Sequence, residues 1–86
     1  MLSDGMKKLF AEEREWEAEG LYQGKKATLY DIWASFHSFS EEEISDSAGG
    51  TPFDDLWNEL SRLREKYGTH ATLDEVEQKE KDGSRT

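Results

Sequence analysis

Eighty-six residues, with 20 Asp or Glu against 11 Lys or Arg, a formal net charge of −9 and no cysteine, bound what this chain can be. The length suits one domain with a modest core; the missing thiols exclude a disulfide framework and a thiolate zinc site; the negative surplus opposes direct contact with nucleic acid or an anionic membrane. No apolar run reaches the length of a membrane span, and Met1-Leu2-Ser3-Asp4-Gly5 lacks the charged and apolar regions of a signal peptide, so a soluble, cytoplasmic protein is expected.

Three Trp, three Tyr and four Phe offset the shortage of aliphatic residues, which predicts a core with few members, mostly aromatic. The first helix is expected over about 4–19, opening after Ser3 or Asp4 and stopping at Gly20. Met6, Leu9, Phe10 and Trp16 form its apolar side. Glu13 and Glu17 project into the middle of that side, which predicts a narrow buried stripe and the loosest of the main helices. Leu21 to Lys26 reads as a connection with a turn at Gln23-Gly24. An aromatic hairpin pairing 16–22 with 27–33 is the competing reading of this region, ranked second because a helical period follows.

Thr28 as N-cap with Asp31 three residues on opens a helix over 28–39, in which Leu29, Ile32, Trp33, Phe36 and Phe39 recur at i, i+3, i+4, i+7 and i+10. Ser40 and Glu43 make a second capping box, with Phe39 and Ile44 as its hydrophobic staple, so a short helix is expected over 41–47. Gly49-Gly50 then reads as a flexible link. The clearest helix is 52–67: Phe53, Leu56, Trp57, Leu60, Leu63 and Tyr67 fall in one stripe roughly 120° wide. Its start reads as Thr51 at the N-cap with Pro52 first and Asp54 at N3, and its stop as Gly68. Thr72 with Glu75 opens a last helix over about 72–80, while 77–86 reads as a disordered polar tail beyond a domain of 1–76. The stripes of 28–39 and 52–67 match in geometry, though only Asp31/Asp55 and Trp33/Trp57 coincide, too little for an internal duplication. The fold class is therefore all-α, a small bundle of four to five short helices, with 28–39 and 52–67 as the central pair and the first helix across them.

Residues able to carry chemistry are few. There is no Cys, His37 and His70 lie far apart, and no Ser occupies a nucleophile elbow. A metal pair of His37 and Glu41 is interrupted by the helix boundary at Ser40. Asp54 and Asp55 are adjacent and diverge on a helix, so they make a poor acid–base pair. A calcium loop from Asp46 places Ala48, Gly50 and Pro52 where oxygen ligands belong. Gly49-Gly50 is followed by no Lys, against a phosphate loop, and a helix-turn-helix over 28–47 would turn Glu41, Glu42, Glu43 and Asp46 towards phosphates. No enzyme, cofactor or metal is expected.

What stands out is charge. Glu41, Glu42, Glu43, Asp46, Asp54, Asp55 and Glu59 occur between Glu41 and Ser61 with no Lys or Arg among them. Placement near helix N-termini accounts for most of these acids individually. Taken together they suggest a non-enzymatic binding protein that occupies a basic surface of a partner, in concrete form a viral or mobile-element inhibitor of a nucleic-acid-processing enzyme acting by nucleic-acid mimicry. The alternative is a structural or adaptor subunit binding through hydrophobic and aromatic helix faces, with Tyr30 and Trp16 as contacts and His37 flanking the stripe beside Trp33. A homodimer belongs with that alternative, because so small a core gains from a partner.

Overall fold

A computed structural model describes residues 2–83. Within them lie five helices, α1 (Asp4–Ala18), α2 (Leu29–Ser38), α3 (Glu41–Ser47), α4 (Phe53–Tyr67) and α5 (Leu73–Gly83), an all-α bundle of short helices as the periodicity predicts. None of them is long and apolar enough to cross a membrane. The shortest dimension is 19 Å, about two helix diameters, so one interior layer forms the core. The pairing 16–22 with 27–33 is not formed; the residues between α1 and α2 make turns with Gln23 and Gly24 at φ 56° and 82°.

The start signals act as the sequence indicates at four of five helices. Ser3 Oγ accepts the Met6 N–H at 3.2 Å, and Asp31 accepts the Thr28 N–H at 2.8 Å. Ser40 and Glu43 exchange hydrogen bonds in both directions, and Thr72 Oγ1 accepts the Glu75 N–H at 3.2 Å. The exception is α4. Pro52 takes the N-cap, and the Thr51 hydroxyl turns back to donate to the Ala48 carbonyl at 3.0 Å. Asp54 is thus one position nearer the helix start than the capping box requires. The Gly49-Gly50 segment is a closed turn, not an open link: Gly50 N–H donates to Ser45 O at 2.8 Å and Ser45 Oγ to Thr51 O at 2.7 Å.

Two helix starts also cap each other. Leu29 and Tyr30 donate their N–H groups to the carbonyls of Ala71 and Thr69 at 3.0 and 2.9 Å, and Leu73 donates to Ala27 O at 3.0 Å, around an isolated antiparallel bridge between Thr28 and Thr72. The orphan donors at both N-termini are therefore satisfied across the chain rather than within it. This fixes the start of α5 against the start of α2.

Burial corrects the expected aromatic core. The interior is mainly aliphatic, with Leu9, Leu29, Ile32, Leu56, Leu60, Leu63, Leu73 and Val76 joined by Met6, Phe10 and Phe36. Tyr22, Trp33, Phe53, Trp57 and Tyr67 pack around its rim. In a body only two helices thick, an indole is too large to be enclosed on all sides, so the biggest rings end at the edge. Nor is α1 loosely held: Met6 and Phe10 are fully buried, and the helix contacts α2, α3 and α4. Glu13 lies on the buried side as the spacing indicates, but it is accommodated there, accepting hydrogen bonds from Tyr22 and Ser35.

Close approach of α1 to the start of α4 depends on Gly5. A Cβ at this position would overlap the Thr51 hydroxyl, stand 2.9 Å from Thr51 Cβ and 3.2 Å from Leu56 Cδ2. Gly5→Ala gains about 1 kcal/mol of helix propensity and loses about 2 kcal/mol to overpacking against a β-branched neighbour. A net fall in stability of about 1 kcal/mol is expected in urea unfolding, and an increase would show that α1 can move away from Thr51 freely.

The chain beyond Glu77, read as a tail from composition, is helical as far as Gly83. Glu80 is buried there, with Tyr67, Lys66 and Arg62 donating to it. The part of the expected tail at 84–86 lies outside the described residues.

Candidate functional site

The periodicity that buries Leu29, Ile32 and Phe36 places Tyr30, Trp33 and His37 on the adjoining stripe of α2. On α4, Phe53, Trp57 and Arg64 form the stripe beside the buried Leu56, Leu60 and Leu63. The two stripes meet. Arg64 Cζ sits 5.2 Å from the Trp33 ring, His37 lies 5.9 Å from Trp57, and Phe36 lies 5.4 Å from Phe53. Numbering rises along α2 as it falls along α4, so the helices run antiparallel.

A continuous row of rings results. His70 stacks on Tyr30 at 5.9 Å, Tyr30 meets Trp33 at 5.7 Å, and Trp33 meets His37 edge-on at 4.3 Å. His37 continues to Trp57, and Trp57 stacks on Phe53 at 6.1 Å. Tyr30 is 46% exposed, and Phe39, at the C-terminal end of α2, is 43% exposed although the helical period assigns it to the core. The reason is local: Phe39 is the C-cap, with φ −111° and ψ 158°, so its side chain leaves the helical stripe. At that end Phe36, His37, Phe39, Phe53 and Trp57 form an open depression of about 640 Å³, edged by Ser40, Glu41 and Asp54.

Of the two aromatic contacts expected from the sequence, Tyr30 belongs to the row. Trp16 does not. It is half-buried, 6.4 Å from Phe39, and lines a smaller cavity of about 100 Å³ on the other side of that ring with Ile44 and Glu43. The rings of Phe53, Trp57 and Phe39 at the exposed edge were not legible as surface groups, because their spacing is that of buried positions. Only Tyr30 and His37, flanking the stripe beside Trp33, carry a sequence signal for exposure.

The seven acids fall into three groups. Glu41, Glu42, Asp46, Asp54 and Asp55 are exposed; Glu41 and Asp54 edge the same depression. Glu43 is exposed and occupied in capping Ser40. Glu59 is half-buried and accepts both the backbone N–H and the hydroxyl of Ser3, tying the start of α1 to α4. Among the described residues no Lys or Arg forms an ion pair with any of the seven. The cations that do pair reach acids of α5: Arg14 pairs with Asp74 and Glu77, Lys26 with Asp74, Lys79 with Glu75, and Arg62 and Lys66 with Glu80. The acids of α5 are thus largely neutralised, while the five exposed acids above are not.

No group of three or more His, Asp or Glu among the described residues is arranged to hold a metal ion, and His37 and Glu41 line one depression without forming part of such a group. No known protein family matches the chain, and no curated protein or solved structure matches it significantly.

Proposed function

We propose that this chain is a non-enzymatic binding module, a structural or adaptor subunit that docks a protein partner through the aromatic face of α2 and α4. The observation that supports it is the unbroken row from His70 through Tyr30, Trp33, His37 and Trp57 to Phe53, half-exposed along its length and ending in an open depression of rings edged by carboxylates. Aromatic side chains with a polar handle supply large contact area at low cost in side-chain entropy, which is why they concentrate at the energetic centres of interfaces. The net negative charge then acts mainly on the approach of the partner.

A second reading stays with charge as the main source of affinity, the chain occupying a basic surface of a nucleic-acid-processing enzyme. What supports it is that Glu41, Glu42, Asp46, Asp54 and Asp55 are exposed and paired with no Lys or Arg among the described residues. Helix N-termini explain the same acids without a partner.

One experiment separates the two readings. With the full chain as bait and the captured partner identified, affinity is measured across salt for wild type, Tyr30→Ala, and a variant with Glu42 and Asp55 reversed to Lys. If the aromatic face carries binding, Tyr30→Ala weakens it by about tenfold and salt weakens it only modestly. If charge carries it, affinity falls steeply from low to moderate salt, and the reversed variant associates more slowly while Tyr30→Ala is silent.

A further inference from the structure

We infer that the depression at the C-terminal end of α2 receives an arginine of the partner, carried next to an apolar side chain. This rests on the aromatic-face reading and names what that face holds. The chemistry of the wall decides the ligand. Phe53, Trp57 and Phe39 offer ring surface, while the carboxylates of Glu41 and Asp54 stand at the edge, both exposed and without a cation among the described residues. A guanidinium is planar, weakly hydrated for a cation, stacks on rings and presents donors to a carboxylate in pairs. An ammonium is held more strongly by water and matches only the carboxylates. The same row of rings already accepts one such group internally, the Arg64 guanidinium 5.2 Å above Trp33.

Other occupants are disfavoured by charge. A second copy docking by the same face would add its own Glu41 and Asp54 to the contact, in a chain of net charge −9. A nucleic acid would bring phosphates to the same carboxylates. A protein segment with a cation beside an apolar anchor satisfies both the rings and the edge.

The test uses the full chain as the target for selection from a library of displayed 12-residue random peptides, followed by synthesis of the enriched sequence. Enriched peptides are expected to carry an arginine within a few residues of an apolar side chain. Replacing that arginine with citrulline, which keeps the shape and removes the charge, should weaken binding by about tenfold. The double variant Glu41→Gln, Asp54→Asn should show the same loss, and citrulline should cost it little more. All the substituted groups are exposed, so folding is not at stake. Failure to enrich any peptide, or binding indifferent to citrulline and to the double variant, overturns the inference. If such indifferent peptides still lose affinity with Phe39→Ala or His37→Ala, the aromatic face survives without its arginine. If they are insensitive to those variants and depend on Glu42 and Asp55, the face reading falls too.

Discussion

Replacing Glu80 with alanine is expected to destabilise the protein by about 3 kcal/mol, at the lower end of the cost of removing one partner from a buried ionic cluster. Glu80 is 2% exposed, and its carboxylate accepts from Tyr67 Oη at 2.6 Å and from Lys66 Nζ and Arg62 Nη2, each at 3.1 Å. All three donors come from α4, so the cluster fastens α5 to α4. The cost is no higher because Arg62 and Lys66 are about half exposed and regain water once Glu80 is gone; the Tyr67 hydroxyl has less to turn to. Glu80→Gln keeps an acceptor for Tyr67 and loses the charge, and should cost about 1–2 kcal/mol. Burial pushes the Glu80 carboxyl up, but the hydrogen bonds from Tyr67, Lys66 and Arg62 outweigh it and hold the group well below the usual carboxylate range. A folded value below the unfolded one means that the stabilisation is fully present above about pH 4.3 and is lost as pH falls further. Urea midpoints at pH 7 and pH 3.5 should therefore lie closer together in Glu80→Ala than in wild type. Equal acid sensitivity in the two proteins would show that Glu80 is not held as an anion.

The same residue marks where sequence reasoning stops. Thr28-Asp31 and Ser40-Glu43 could be read as helix starts because a capping box is local: both partners lie within three residues and the geometry follows from the backbone. The span 77–83 could not be read from composition, since nothing within it shows that Arg62, Lys66 and Tyr67 wait at the right distance on another helix. Glu13 failed for a related reason. Its position on the apolar side was legible, but its acceptance into the interior depends on Tyr22 and Ser35, 9 and 22 residues away. Thr51 and Pro52 were misassigned by one position because the Thr51 hydroxyl has a tertiary use, closing the turn from α3.

The aromatic face was legible only in part, and the limit is geometric. Periodicity says which residues share a stripe; it does not say how wide a stripe the neighbouring helices can cover. Trp33, Phe53 and Trp57 follow the core period and finish partly buried at the rim, packed against an aliphatic core in a body 19 Å thick. Large rings left at the edge of a thin bundle are both the structural remainder of a small core and the feature that a partner can use. The pairing cations are taken up by acids of α5 and leave Glu41 and Asp54 beside those rings, so ring surface and negative charge coincide at one end of α2.

Glu13 should respond to pH in the direction opposite to Glu80. It is 3% exposed; burial pushes its carboxyl up, more than the hydrogen bonds from Tyr22 and Ser35 bring it down. A folded value above the unfolded one gives stability that is complete below about pH 4.3 and is lost as pH rises through the folded value. The hydrogen bonds from Tyr22 and Ser35 favour the anion and only partly offset the burial, yet the neutral acid can also be accommodated. Ser35 Oγ has a single hydrogen and two acceptors within reach, Glu13 at 2.9 Å and the Asp31 carbonyl at 3.1 Å. A protonated Glu13 resolves the competition by donating to Ser35 Oγ, which then donates to Asp31, while Tyr22 donates to the other Glu13 oxygen. Glu13→Gln reproduces that arrangement at every pH, its amide nitrogen replacing the acid hydroxyl. It is therefore expected to match wild type near pH 4.5 and to exceed it at pH 8, the gap opening as pH rises through the folded value of Glu13 and constant above it, with the urea midpoint as the measurement. Glu13→Ala, by contrast, leaves the Tyr22 hydroxyl without its acceptor and opens a gap beneath α2, costing about 2 kcal/mol. If wild type and Glu13→Gln keep parallel stability profiles between pH 4.5 and 8, Glu13 ionises in the folded protein as readily as in the unfolded chain, and its burial carries no linkage to pH.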